Sequence, residues 1–110
     1  MSQKLQLEKA LHQNHWVVVS KDGNATWWQE ECWQLASAKG SFQDTLYLYF
    51  LRDPQDLNRV WSIKAVHAPL ADWKDEQFVI SSLGLTSRHF QERMESLIAD
   101  LERYRKTKLG

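Results

Sequence analysis

An α+β fold is predicted by three features of the sequence: alternating apolar and polar residues through its middle, a long apolar stripe of helical period in its last third, and a short amphipathic segment at its start. The expected architecture is a short N-terminal helix, an antiparallel meander of four to five strands, and a long C-terminal amphipathic helix packed on one face, in two layers. With 110 residues, 43% of them apolar, the chain has the size of one globular domain spanning 1–110.

Each element has its own signal. Ser2 is placed to cap a helix running to about Gln13, with Leu7, Ala10, Leu11 and Asn14 on one side. Trp16 to Val19 is β-branched and compact, and the Asp22-Gly23 pair after it is the signature of a tight hairpin turn, where glycine accepts positive φ. The partner strand is then Thr26 to Ala36. That segment has a helical alternative, because Thr26 and Gln29 have capping-box spacing and Lys39-Gly40 suits a helix end. Strand is preferred: Val17 to Val19 need a partner, and adjacent bulky tryptophans favour a pleated surface.

Thr45 to Leu51 alternates as a strand with Leu46, Leu48 and Phe50 facing the core. A polar loop containing Pro54 follows, and alternation resumes from Arg59 to His67 with Trp61, Ile63 and Ala65 on one side. Phe78 to Ile80, leading to Gly84, is a candidate fifth strand. In the last third, Phe90, Met94, Leu97, Ile98, Leu101 and Tyr104 form the stripe of the long helix, started by Thr86 or Ser87. Its opposite face is read as solvated and carries Arg88, Glu92, Arg93, Glu95, Asp100, Glu102, Arg103, Arg105 and Lys106. The four cations of residues 103–110 suit the negative end of a helix dipole.

Charge and cysteine content narrow the function classes. Fourteen basic residues balance fourteen acidic ones, without the basic excess typical of duplex-DNA binders. A single cysteine, Cys32, precludes an intramolecular disulfide and suits a reducing compartment. No apolar run reaches the roughly 18 to 20 residues of a membrane span, and the N-terminus lacks the apolar core of a signal peptide. A cytoplasmic protein without membrane contact is expected.

Few residue groupings suggest chemistry. Glu8, His12 and His15 would line one side of a continuous helix as a metal triad, but Asn14 reads as a stop before His15. Cys32 could act as a nucleophile only with a base such as His67 and a carboxylate from Glu30 or Glu31, and it lacks a flanking signature. In a strand beside tryptophan it reads as packing. Glu30 and Glu31, adjacent in a strand, would point to opposite faces and share no site. His67 and His89 are isolated. The reading is therefore of no catalytic residues, no metal and no cofactor.

The feature above background is the aromatic load of six tryptophans, three tyrosines and four phenylalanines. Trp27, Trp33, Leu46, Leu48, Phe50, Trp61 and Ile63 are assigned to the inner sheet layer. Trp28, Cys32, Tyr47, Tyr49, Val60 and Val66 are left outside with Ser62 and Lys64. An exposed aromatic face of this kind marks a binding surface, unless the first helix covers it or the sheet curls over it. The function expected is a small non-enzymatic interaction module, an adaptor, assembly factor or regulator, binding a protein partner or its own copy through Trp28, Tyr47, Tyr49 and Lys64. Two alternatives stand beside it. In one, Trp28, Tyr47 and Tyr49 stack the bases of a single-stranded nucleic acid while Lys39, Arg52, Arg59 and Lys64 track its backbone. In the other, a pocket beneath the sheet holds a small ligand.

Overall fold

The computed structural model describes residues 3–23, 27–72, 74–84 and 89–109. Its elements are α1 (Gln3–Gln13), β1 (Trp16–Asp22), β2 (Gln29–Ser37), β3 (Leu46–Asp53), β4 (Asp56–Val66), β5 (Val79–Gly84) and α2 (Phe90–Leu109). The strands form one antiparallel sheet in the order β1-β2-β3-β4-β5, so each strand pairs with its neighbours in the chain. The segment with the helical alternative is strand β2, and the fifth strand forms. The helix caps expected at Ser2, Thr86 and Ser87 lie outside the described residues.

Helix α1 ends at Gln13 because the chain turns there. His15 takes a left-handed φ of 66°, its N–H reaches the His12 carbonyl at 3.1 Å, and the Asn14 side chain donates to the Ala10 carbonyl at 2.7 Å. These bonds satisfy carbonyls that the last helical turn would otherwise leave open. The apolar sides of both helices lie on one sheet face. Leu7 and Leu11 from α1, and Met94, Leu97 and Leu101 from α2, join Trp16, Trp33, Leu35, Leu46, Leu48, Phe50 and Ile63 in a single buried core.

Among the described residues five register shifts interrupt the sheet, and three of them bear on the expected placements. The register steps from Val18↔Leu35 to Ser20↔Gln34, from Gln29↔Leu51 to Glu31↔Phe50, and from Leu51↔Ser62 to Arg52↔Val60. Val19, Glu30 and Trp61 are thus the extra residues. A bulge re-aims the side chains around it, and that overturns four of the expected placements. Val60 packs against the helix-side core rather than outside, while Trp61 is 38% exposed and borders an outer-face hollow with Leu51, Ser62 and Lys64. Glu30 and Glu31 do not diverge, because both carboxylates bind the Lys4 ammonium of α1. Trp27, also expected inside, is 58% exposed ahead of β2.

Two further expectations are corrected. The β1–β2 connection is wide rather than a two-residue turn at Asp22-Gly23, since the last register pair joins Asp22 to Cys32; residues 24–26 lie outside the described set. Arg105 is not on the solvated face of α2 but 2% exposed. It follows Leu97 and Leu101 at intervals of four, on the buried ridge of the helix.

Candidate interaction site

The outer sheet face is covered by neither helix. Its centre is roofed by the β4–β5 connection, whose Leu70 is buried with Cys32, Tyr49, Leu51 and Val66, while Trp28, Tyr47, Phe78 and Val79 pack around them. The roof is held by hydrogen bonds as well as by apolar contact. The Leu70 N–H donates to the Tyr49 hydroxyl at 3.3 Å, and the His67 N–H to the Phe78 carbonyl at 3.1 Å.

All four residues assigned to partner binding belong to this face. Trp28 is half-buried and stacks on Tyr49 with ring centroids 5.7 Å apart and planes 27° from parallel. Tyr49 pairs in register with Cys32 on one side and Lys64 on the other. Only Trp28 and Tyr47 retain appreciable surface, since Tyr49 is 7% and Lys64 8% exposed. Burial raises the Tyr49 hydroxyl above its ordinary pKa, so the ring is a neutral part of a packed layer.

Lys64 is placed unusually for an ammonium in a sheet. Its Nζ donates to the Glu76 carboxylate at 2.7 Å and to the Asp75 carbonyl at 3.2 Å. The sheet thereby grips the far side of its own roof. The hollow beside this pair has a volume of about 320 Å³ and is lined by Leu51, Trp61, Ser62, Lys64, Lys74 and Glu76.

Among the described residues, exposed large apolar side chains fall in two places: Leu5, Val17 and Val19 on α1 and β1, and Trp27, Leu57 and Trp61 near the passage from β3 to β4. The Arg52 N–H donates to the Trp28 carbonyl at 2.9 Å, and the Arg52 guanidinium donates to the carbonyls of Leu57 at 2.7 Å and Gln29 at 3.3 Å. This one residue therefore ties the segment bearing Trp27 and Trp28 to the β3–β4 hairpin. Trp27, Leu57 and Trp61, exposed by 58, 43 and 38%, stand at that end. Strict alternation places Trp27 and Trp61 inside, and no feature of composition or spacing marks the bulge that brings Trp61 out.

The groupings considered for chemistry are dispersed. Glu8 pairs with Lys21 at 2.8 Å, and His15 lies beyond the end of α1 in a left-handed conformation, so Glu8, His12 and His15 share no helical face. Among the described residues no group of three potential ligands could hold a metal ion. Burial pushes the Cys32 thiol up to about 11, which leaves it protonated and a poor nucleophile at neutral pH. His67 stacks on Tyr104 at 5.6 Å and meets Phe78 edge-on at 5.3 Å.

The chain matches no protein-family model, no curated protein and no solved structure. Among the described residues, no helix is long and apolar enough to cross a membrane.

Proposed function

We propose that this chain is a non-enzymatic, cytoplasmic protein-interaction module, acting as an adaptor, assembly factor or regulator. Its contact surface is the aromatic end of the outer sheet face. One observation carries the reading: Trp27, Leu57 and Trp61 keep much of their surface in water at one end of the sheet, whereas Trp16 and Trp33 are almost wholly buried in the core. Leaving large apolar side chains in water forgoes roughly 25 cal/mol per Å² of burial, and tryptophan is enriched among the residues that dominate protein interfaces.

The single-strand reading is weakened by the commitments of its own residues. Tyr49 lies under Leu70, and Lys64 and Arg52 already hold protein oxygens, so the face offers few ready cations to a phosphate backbone. The test is affinity capture from native lysate with the wild-type chain and with Trp27→Ala combined with Trp61→Ala, each with and without nuclease. A partner retained after nuclease and lost from the double variant is the expected result. Nuclease-sensitive capture, or capture indifferent to both substitutions, would overturn the proposal.

A further inference from the structure

Helix α1 is joined to the rest of the chain by a short hinge. Only Asn14 and His15 separate Gln13 from Trp16, and His15 turns the chain with a φ of 66°. In that region the Cβ of any residue but glycine crowds the following carbonyl. The body grips the hinge from its strand side, where the His15 carbonyl accepts the Ala38 N–H at 2.7 Å and the Arg105 guanidinium at 3.1 Å. Short hinges under strain favour exchange of the element they carry between two copies of a chain, because extending the hinge relieves the strain.

The helix is built to move as a unit. It enters the core through Leu7 and Leu11, both fully buried, so its seat on the sheet has to be filled by an α1 from one copy or another. Ion pairs tie it further to the strands: Lys4 with Glu30 and, at 3.0 Å, with Glu31, and Glu8 with Lys21 at 2.8 Å. Towards α2 it leaves an open hollow of about 390 Å³, lined by Ala10, Gln13, Met94 and Ile98 among others. None of these contacts depends on which copy supplies the helix.

The position of α1 leaves the way open. It packs beside β1, an edge strand of the sheet, whose Val17 and Val19 are 40 and 55% exposed. We infer that two copies of this chain exchange α1 to form a symmetric dimer, in which His15 extends and each helix fills the seat on the other copy. The hinge sets the geometry: an extended residue spans only about 3.3 to 3.6 Å, so the two β1 edges lie beside the twofold axis. Val17 and Val19 of both copies then meet in an interface that the single chain lacks. The exchange does not involve the aromatic end of the outer face, because Trp27 precedes the first residue of β2 whereas Trp16, next to the hinge, pairs with Ser37 at its last.

The experiment follows the ion pairs of α1. An equal mixture of ¹⁵N-labelled and unlabelled full chain is unfolded in urea and refolded together at millimolar concentration, and size-exclusion chromatography separates monomer from dimer. Carbodiimide then couples Lys4 to Glu30 or Glu31, and Glu8 to Lys21, and mass spectrometry reads the isotope on each half of the linked peptides. The dimer should yield links between a labelled and an unlabelled half, and the monomer only links of one isotope. His15→Gly should lower the dimer association constant at least about tenfold, since glycine makes the left-handed turn of the closed chain without strain. A Gly-Ser-Gly insertion after Asn14 should act in the same direction by slackening the hinge. Absence of a dimer, a dimer whose links all carry one isotope, or a dimer indifferent to both hinge variants would overturn the inference. So would a dimer lost on Trp27→Ala combined with Trp61→Ala, which would assign self-association to the aromatic end instead.

Discussion

The Arg105 guanidinium lies 4.3 Å from the centroid of the Trp16 ring, covering the indole at the point where the first helix hands over to the first strand. From there it donates to the carbonyls of Asn14 and His15, each at 3.1 Å, and to the Ser37 hydroxyl at 3.0 Å, while Glu102 holds its charge from one turn earlier in α2. One side chain thus joins the C-terminal helix to the exit of α1 and to the end of β2. The planar fork of guanidinium donors is what makes several simultaneous bonds possible.

Arg105→Ala should therefore destabilise the chain by about 2 to 4 kcal/mol, since it strips partners from two carbonyls and uncovers Trp16. Arg105→Lys should recover only part of the loss, because an ammonium keeps the charge without the fork. Urea unfolding of the three proteins checks both statements.

The partner carboxylate gives this latch a pH dependence. Burial pushes the Glu102 carboxyl up, but hydrogen bonds and charges from Arg105 and Lys39 outweigh it and hold the group below its ordinary 4.5. A folded pKa below the unfolded one means that the contribution is complete above 4.5 and is lost as the pH falls through the lowered folded value. The stability difference between wild type and Glu102→Gln should accordingly be largest near neutrality and shrink on acidification. Denaturant midpoints measured across the acid range test this, and a difference independent of pH would refute it.

Leu97→Ala and Leu101→Ala should each cost about 2 to 5 kcal/mol, because both side chains are fully buried in the core shared by the helices and the sheet. Melting at the wild-type temperature would show that this ridge of α2 does not hold the fold.

On the outer face, burial separates residues that structure from residues that bind. Tyr49→Ala should destabilise by about 3 kcal/mol, since it removes a buried ring and the acceptor of the Leu70 N–H. Trp27→Ala should change stability by no more than about 0.5 kcal/mol, as expected for an exposed position. Thermal unfolding of the two variants makes the comparison, and a large loss at Trp27 would return that side chain to the structural layer.

The strands and the long helix were legible because their patterns are local. Leu46, Leu48 and Phe50 alternate within a few residues, and Met94, Leu97 and Leu101 recur at helical intervals, so neither signal depends on remote contacts. The bulges were not legible. A single extra residue at Glu30 or Trp61 inverts the parity that follows it, yet nothing in the identity of glutamate or tryptophan announces it. Arg105 was hidden by its own charge: its interval from Leu101 belongs to the buried ridge, but its burial depends on Asn14 and His15 far back in the chain. The four candidate site residues do share one face. The roof over Tyr49 and Lys64 was missed because it is made by Leu70 and Glu76 in a loop with no periodic signal of its own.

The strand order that simply follows the chain has a kinetic consequence. Every pairing in the sheet closes a loop between consecutive strands, so the meander can zip through short-range steps of low entropic cost. The Arg105 latch spans 90 and 91 residues to His15 and Asn14 and needs both ends of the polypeptide already in position. Such a contact belongs late on the reaction coordinate, which predicts a φ-value near zero for Arg105→Ala. In stopped-flow chevrons the substitution should speed unfolding and scarcely alter refolding, and a slowed folding limb would place the meeting of the termini in the nucleus instead.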